Sequence, residues 1–115
     1  MLYKGSCHCG KITFEVEGEL TGVVSCNCSI CSRRGSLLWS VPRDGLKLLT
    51  PEEDIATYTF NKHVFVHRFC PTCGVHPYAE DPASMDERMA YINIRCLENV
   101  DLTAIPIYDF DGRSV

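Results

Sequence analysis

Residues 11–18 read KITFEVEG, in which Ile12, Phe14 and Val16 alternate with Thr13, Glu15 and Glu17. A period of two marks a strand with one face in a core and the other in water. Comparable runs recur at SLLWSV (36–41), LKLL (46–49), IATYTF (55–60), VFVHRF (64–69) and MAYINIRCL (89–97). Turn residues separate them: Gly18 and Gly22, then Pro42-Arg43-Asp44-Gly45, then Asn61-Lys62. The helical period is nearly absent, and only two short helical turns are expected. Ser29–Arg34 has a serine able to cap its start and Gly35 past its end. Thr50–Asp54 offers Thr50 as a cap, Pro51 at the first helical position, and Glu52 and Glu53 at the positive dipole end. DPASMDER (81–88) is the most polar loop and the segment expected to move most. The pattern predicts a small, all-β, mostly antiparallel domain over residues 1–115 with one or two helical turns.

A chain of 115 residues suits one domain. Its core is thin, because a chain of this size buries only about two-thirds of its unfolded surface. Acidic residues exceed basic ones, 15 to 11, and the longest basic run is Arg33-Arg34. Binding a phosphate backbone needs a concentrated basic face, so no nucleic-acid partner is expected. No apolar stretch approaches ~20 residues, so no membrane span is expected. The start, MLYKGSCHCG, lacks a charged leader followed by a long apolar segment. A cytoplasmic protein is the expectation.

That compartment changes the reading of eight cysteines. In a reducing environment such a count points to metal or catalysis before disulfides. In a C-x-C on an extended strand, both thiols share a face with α-carbons about 6.5–7 Å apart. That suits two ligands of one tetrahedral ion and strains a disulfide. The cysteines fall into Cys7-x-Cys9, Cys26-x-Cys28-x-x-Cys31 and Cys70-x-x-Cys73, with Cys96 alone. CPTCG (70–74) has the shape of a zinc knuckle, and CHCG (7–10) is its natural partner. Cys7, Cys9, Cys70 and Cys73 would then form a closed structural zinc site. Such a site adds metal-binding energy to folding, on the order of 10 kcal/mol in small zinc modules. CNCSIC (26–31) keeps three ligands, the arrangement of a catalytic zinc with an open fourth position. Alternatively Cys96 closes that site too. Spacing leaves both arrangements open, and either expects two zinc ions per chain.

The strings GSCHCGKITFEVEG, VSCNCSICSRRG, HRFCPTCGVHPY and INIRCL, with a closing FDG, resemble the glutathione-dependent formaldehyde-activating enzyme family. They come closest to its branch that includes centromere protein V. The resemblance runs over nearly the whole chain. It implies a zinc-bound β-tent of antiparallel sheets and the activity of a carbon–sulfur lyase, joining glutathione and formaldehyde into S-hydroxymethylglutathione. It also implies Cys7, Cys9, Cys70 and Cys73 as structural zinc ligands, and Cys26, Cys28 and Cys31 as the catalytic zinc set.

Other residues carry weaker expectations. A thiol meeting zinc at the open position loses its proton and becomes the nucleophile for an aldehyde carbon. Arg33 and Arg34 can offset the cluster's charge or hold a substrate carboxylate, but their plainer reading is solvated cations at a helix C-terminus. His8 is expected at the surface, His63 in an exposed turn, and His67 in the core or behind a ligand shell. His67 and His76 are candidate proton shuttles. Trp39, Tyr58 and Phe60 read as core. Cys96 reads as a buried thiol, an added ligand, or a nucleophile favoured by Arg95. Two alternatives to the lyase stand: a non-catalytic zinc-stapled binding module, and a thiol redox enzyme using Cys96, since methionine sulfoxide reductase B shares the β-tent layout.

Overall fold

The computed structural model describes residues 1–59 and 65–111; Phe60, Asn61, Lys62, His63 and Gly112 lie outside the described residues. Ten strands follow in chain order among those described. They are β1 (Leu2–Ser6), β2 (Thr13–Glu17), β3 (Val23–Cys26), β4 (Leu38–Pro42) and β5 (Leu46–Leu48). After them come β6 (Ala56–Tyr58), β7 (Val66–Phe69), β8 (Tyr78–Glu80), β9 (Met89–Asn93) and β10 (Ile107–Phe110). The one α-helix among the described residues, α1, is the single turn Cys31–Arg34, and short 3-10 turns follow β4, β5 and β9 and precede β10. Among the described residues no helix is long and apolar enough to cross a membrane.

The strands form a three-stranded sheet in the order β1-β2-β5 and a seven-stranded sheet in the order β10-β3-β4-β9-β8-β7-β6. Every pairing among the described residues is antiparallel except β10 with β3. Alternation locates the core: Phe14 and Val16 of β2, Trp39 and Val41 of β4, and Ala90 and Ile92 of β9 are buried. One apolar cluster draws on both sheets, as expected of packed layers. Trp39 is core as expected, and Tyr3 packs edge-on against it at 5.4 Å. Tyr58 is not: on edge strand β6 it is 47% exposed. Gly5 lies opposite Phe14 in the β1–β2 register. The Phe14 ring crosses the β1 backbone there, leaving no room for a Cβ.

Both expected helical turns exist, with different ends. α1 starts from Ile30 without a side-chain cap, and Gly35 closes it at φ 68°. The second is a 3-10 turn, Glu52–Asp54, with Pro51 just before its first residue. Thr50 does not cap it. Its hydroxyl accepts from Thr13 N and donates to Lys11 O, both at 2.9 Å, and so pins the start of β2.

Glu80 is buried at 5% exposure and is met by two guanidinium groups. Arg43 Nε donates to it at 2.8 Å, and Arg88 lies 3.3 Å away. Arg43 also reaches Leu46 O and Glu52, tying β5 and the 3-10 turn to β8. Deleting one partner of a buried pair strands the other charges. Glu80→Ala is therefore expected to lower stability by about 3 kcal/mol, read from urea unfolding.

Candidate metal centres

The C-x-C of residues 7–9 lies in a tight turn between β1 and β2, rather than on an extended strand. Gly10 N donates to Cys7 O at 3.3 Å, and Gly10 takes φ 83°, a conformation that favours glycine. The turn, in place of the strand pleat, is what brings the two sulfurs together. The knuckle between β7 and β8 is built alike. Gly74 N donates to Cys70 O at 2.9 Å with Gly74 at φ 79°, and the N–H groups of Thr72 and Cys73 point at Cys70 Sγ at 3.4 Å. Ile12 N serves Cys7 Sγ at 3.3 Å. Each turn thus aims backbone donors at sulfur, which favours thiolate.

Cys7, Cys9, Cys70 and Cys73 converge, all four sulfurs lying within 4.8 Å of one another. Cys9 Sγ is 3.7 Å from Cys7 Sγ and 3.6 Å from Cys70 Sγ. A tetrahedron with Zn–S of ~2.3 Å has edges of ~3.8 Å, so these spacings fit zinc. Cys73 is pulled down to about 6, first by the Val75 backbone N–H and then by that of Cys9. The site bridges the β1–β2 turn of the small sheet and the β7–β8 turn of the large one.

Cys26, Cys28 and Cys31 form a second group, half-buried, with sulfurs again within 4.8 Å. Cys26 ends β3, Cys31 opens α1, and Cys28 sits in the loop between them with its N–H 3.4 Å from Cys26 Sγ. Ser32 N to Cys28 O and Gly35 N to Cys31 O, each 2.9 Å, close the local turns. The end of β10 and the residue after it strap the loop: Asn27 N donates to Phe110 O at 3.2 Å, and Asn27 Nδ2 to Asp111 Oδ1 at 3.0 Å. Burial pushes Cys31 up to about 12, with the Cys28 thiol adding to it. Burial also raises Cys28, but the Cys31 backbone N–H and the neighbouring thiols outweigh it and leave Cys28 below its ordinary value. A set of three soft donors fits a thiophilic ion such as zinc.

Cys96 joins neither group among the described residues. It lies on a 3-10 turn past β9, rather than on the strand, with its thiol 3.8 Å from His76 O. Burial pushes it up to about 11, and the charges of Cys7 and Cys73 push the same way. Arg95, expected to favour its thiolate, donates instead to Gly35 O at 3.2 Å. Among the described residues the sulfurs gather as a group of four and a group of three, with Cys96 in neither.

The three-cysteine group borders a cavity of about 270 Å³ that also takes in Arg34, Ser36, His67 and His76. The two arginines part ways here. Arg33 is exposed and folds back onto Ser29 O at 2.7 Å, whereas Arg34 is half-buried with Nη1 3.3 Å from His67 Nδ1. A guanidinium can only donate, so His67 accepts at Nδ1 and holds its own proton on Nε2. Burial, then the Arg34 charge, lowers His67 to about 4. The same two causes in the same order, with His67 adding, take His76 to about 3. Both rings are neutral at pH 7. His76 Nδ1 lies 3.4 Å from the Ser36 hydroxyl, and its buried Nε2 has no hydrogen-bond partner. His8 is exposed, as expected, although it sits in a turn. Sequence reasoning did not single out Ser36, whose only signal is its place beside α1.

Residues 2–110 match the model of a family described as glutathione-dependent formaldehyde-activating enzyme. A crystal structure of a Rhodobacter sphaeroides protein superposes with a TM-score of 0.76 at 30% identity, covering 91% of this chain and 99% of that one. Fold, cysteine pattern and match agree: the chain belongs to the glutathione-dependent formaldehyde-activating enzyme family.

Proposed function

We propose that the protein is a zinc-dependent carbon–sulfur lyase that makes or breaks the adduct of a small thiol and an aldehyde. The supporting observation is the convergence of Cys26, Cys28 and Cys31 on a cavity that also contains Arg34, His67 and His76. In this reading Cys7, Cys9, Cys70 and Cys73 hold a structural zinc, and Cys26, Cys28 and Cys31 hold a second ion with one coordination position left for substrate. Zinc there would supply the charge that keeps an entering thiol deprotonated at neutral pH. The sulfur forms its bond to the aldehyde carbon as the carbonyl π bond opens, and the thiol's proton ends on the new hydroxyl. The reverse reaction returns thiol and aldehyde. His67, accepting from Arg34 at Nδ1, is neutral and lines the same cavity as the three cysteines.

Glutathione and formaldehyde, the pair in the family's description, are the first pair to test. Protein purified under reducing conditions without chelator is expected to carry two zinc ions per chain by elemental analysis. It should also speed the appearance of an S-hydroxymethyl signal in NMR exchange spectra of thiol and aldehyde. Two zincs with no acceleration for any thiol–aldehyde pair would overturn the lyase reading and favour a zinc-stapled binding module.

A further inference from the structure

Arg34 is half-buried and has no carboxylate partner, unlike two other half-buried arginines. Arg43 and Arg88 both close on Glu80. Among the described residues Arg34 makes one hydrogen bond, to a neutral histidine, and no acidic side chain borders its cavity. Burial lowers its own pKa, and the charges of Cys31, Tyr58 and Cys28 push back against that, so its charge is partly desolvated and is met by no carboxylate. A desolvated guanidinium with a free edge is a carboxylate receptor, because its donors suit a planar anion in a bidentate pair. Most of the remaining wall is apolar. Val24 and Leu38 lie inside, and Phe65 and Phe110, about half exposed at 49% and 51%, frame the mouth. The volume of about 270 Å³ falls below the ~300–1,000 Å³ usual for drug-sized ligands. Glutathione is a tripeptide with two carboxylates and an ammonium group. It offers more charge than one guanidinium and an apolar wall can match.

Resting on the lyase reading above, we propose that this site selects a small thiol with a single carboxylate, its sulfur at Cys26, Cys28 and Cys31 and its carboxylate on Arg34. The apolar wall then covers the short carbon chain between the two ends. His67 steadies Arg34, since the Nη1–Nδ1 contact engages one edge of the guanidinium and both side chains line the cavity.

Calorimetric titration of the zinc-loaded full chain tests this with three probes: 3-mercaptopropionate, its neutral counterpart 3-mercaptopropan-1-ol, and glutathione. The acid is expected to bind about tenfold tighter than the alcohol, as a charge-assisted hydrogen bond in a partly dry site allows, with glutathione weaker than the acid. Arg34→Gln should remove the acid's advantage and leave the alcohol unchanged. Arg34→Lys, which keeps the charge, should retain part of the advantage, and Arg33→Gln should retain all of it. Circular dichroism confirms that each variant is folded. Equal binding of acid and alcohol by the wild type would overturn the inference and leave the lyase reading standing, as would glutathione binding tightest. An equal loss of both small probes in Arg34→Gln would also overturn it, showing that Arg34 only offsets the charge of the cysteine cluster. Binding of no thiol at all would sink the inference and the lyase reading together.

Discussion

Cys7→Ser is expected to leave the chain largely unfolded at room temperature. Cys7 is 3% exposed, and its sulfur takes the Ile12 N–H besides its place among the four thiols. A hydroxyl keeps the volume but does not give an anionic sulfur at neutral pH, so the closed site loses a ligand. A closed zinc–thiolate site contributes on the order of 10 kcal/mol, comparable with the entire ~5–15 kcal/mol stability of a domain this size. The position makes the loss worse, because the four cysteines come from turns of two different sheets. Without the ion, the apolar cluster and a few hydrogen bonds, such as those of Arg43 and Glu98 N to Lys4 O, join those sheets, and the chain is too short for that cluster to be large. Far-ultraviolet circular dichroism and urea titration of Cys7→Ser should show no cooperative transition. Wild type treated with a tight chelator should behave the same way, and zinc should restore only the wild type. A Cys7→Ser protein with an unchanged urea midpoint would show that the four thiols do not hold the fold.

The cysteine pairing is legible in the amino-acid sequence because its signals are local and chemically unusual. A C-x-C-G and a C-x-x-C-G each bring two sulfurs together through their own turn, whatever surrounds them. β2, β4 and β9 are legible for a similar reason: one face of each meets the core and the other meets water. β8 and β10 are not. Every residue of β8 is buried and every residue of β10 is exposed, so neither alternates. The site's polar half is also hidden, because its contacts are distant in sequence. Arg34 meets His67 across 33 positions and Ser36 meets His76 across 40, and strand register sets both. Sequence could offer Arg33 and Arg34 only as a pair. Burial chose between them by folding one back onto Ser29 and facing the other into the cavity. Thr50 carried a capping signal that a tertiary hydrogen bond to β2 overrode.

Cys28→Ser is expected to give the opposite outcome to Cys7→Ser: an intact fold and a dead enzyme. Cys28 lies in a loop held by backbone hydrogen bonds and by the strap from Asn27 to Phe110 and Asp111, none of which needs the Cys28 sulfur. It is half-buried and belongs to the three-sulfur group alone, so its removal leaves the four-cysteine site complete. The variant should therefore keep a urea midpoint close to wild type and retain one zinc of two by elemental analysis. Thiol–aldehyde exchange should fall at least about a hundredfold, since even changes behind a ligand shell cost ten- to a hundredfold. The paired measurement gives the test its force. Activity lost together with both zincs would mean a collapsed protein and no information about catalysis. Activity retained with one zinc would move the chemistry away from CNCSIC. One zinc lost, fold kept and turnover gone is the combination that only a catalytic role for Cys26, Cys28 and Cys31 produces.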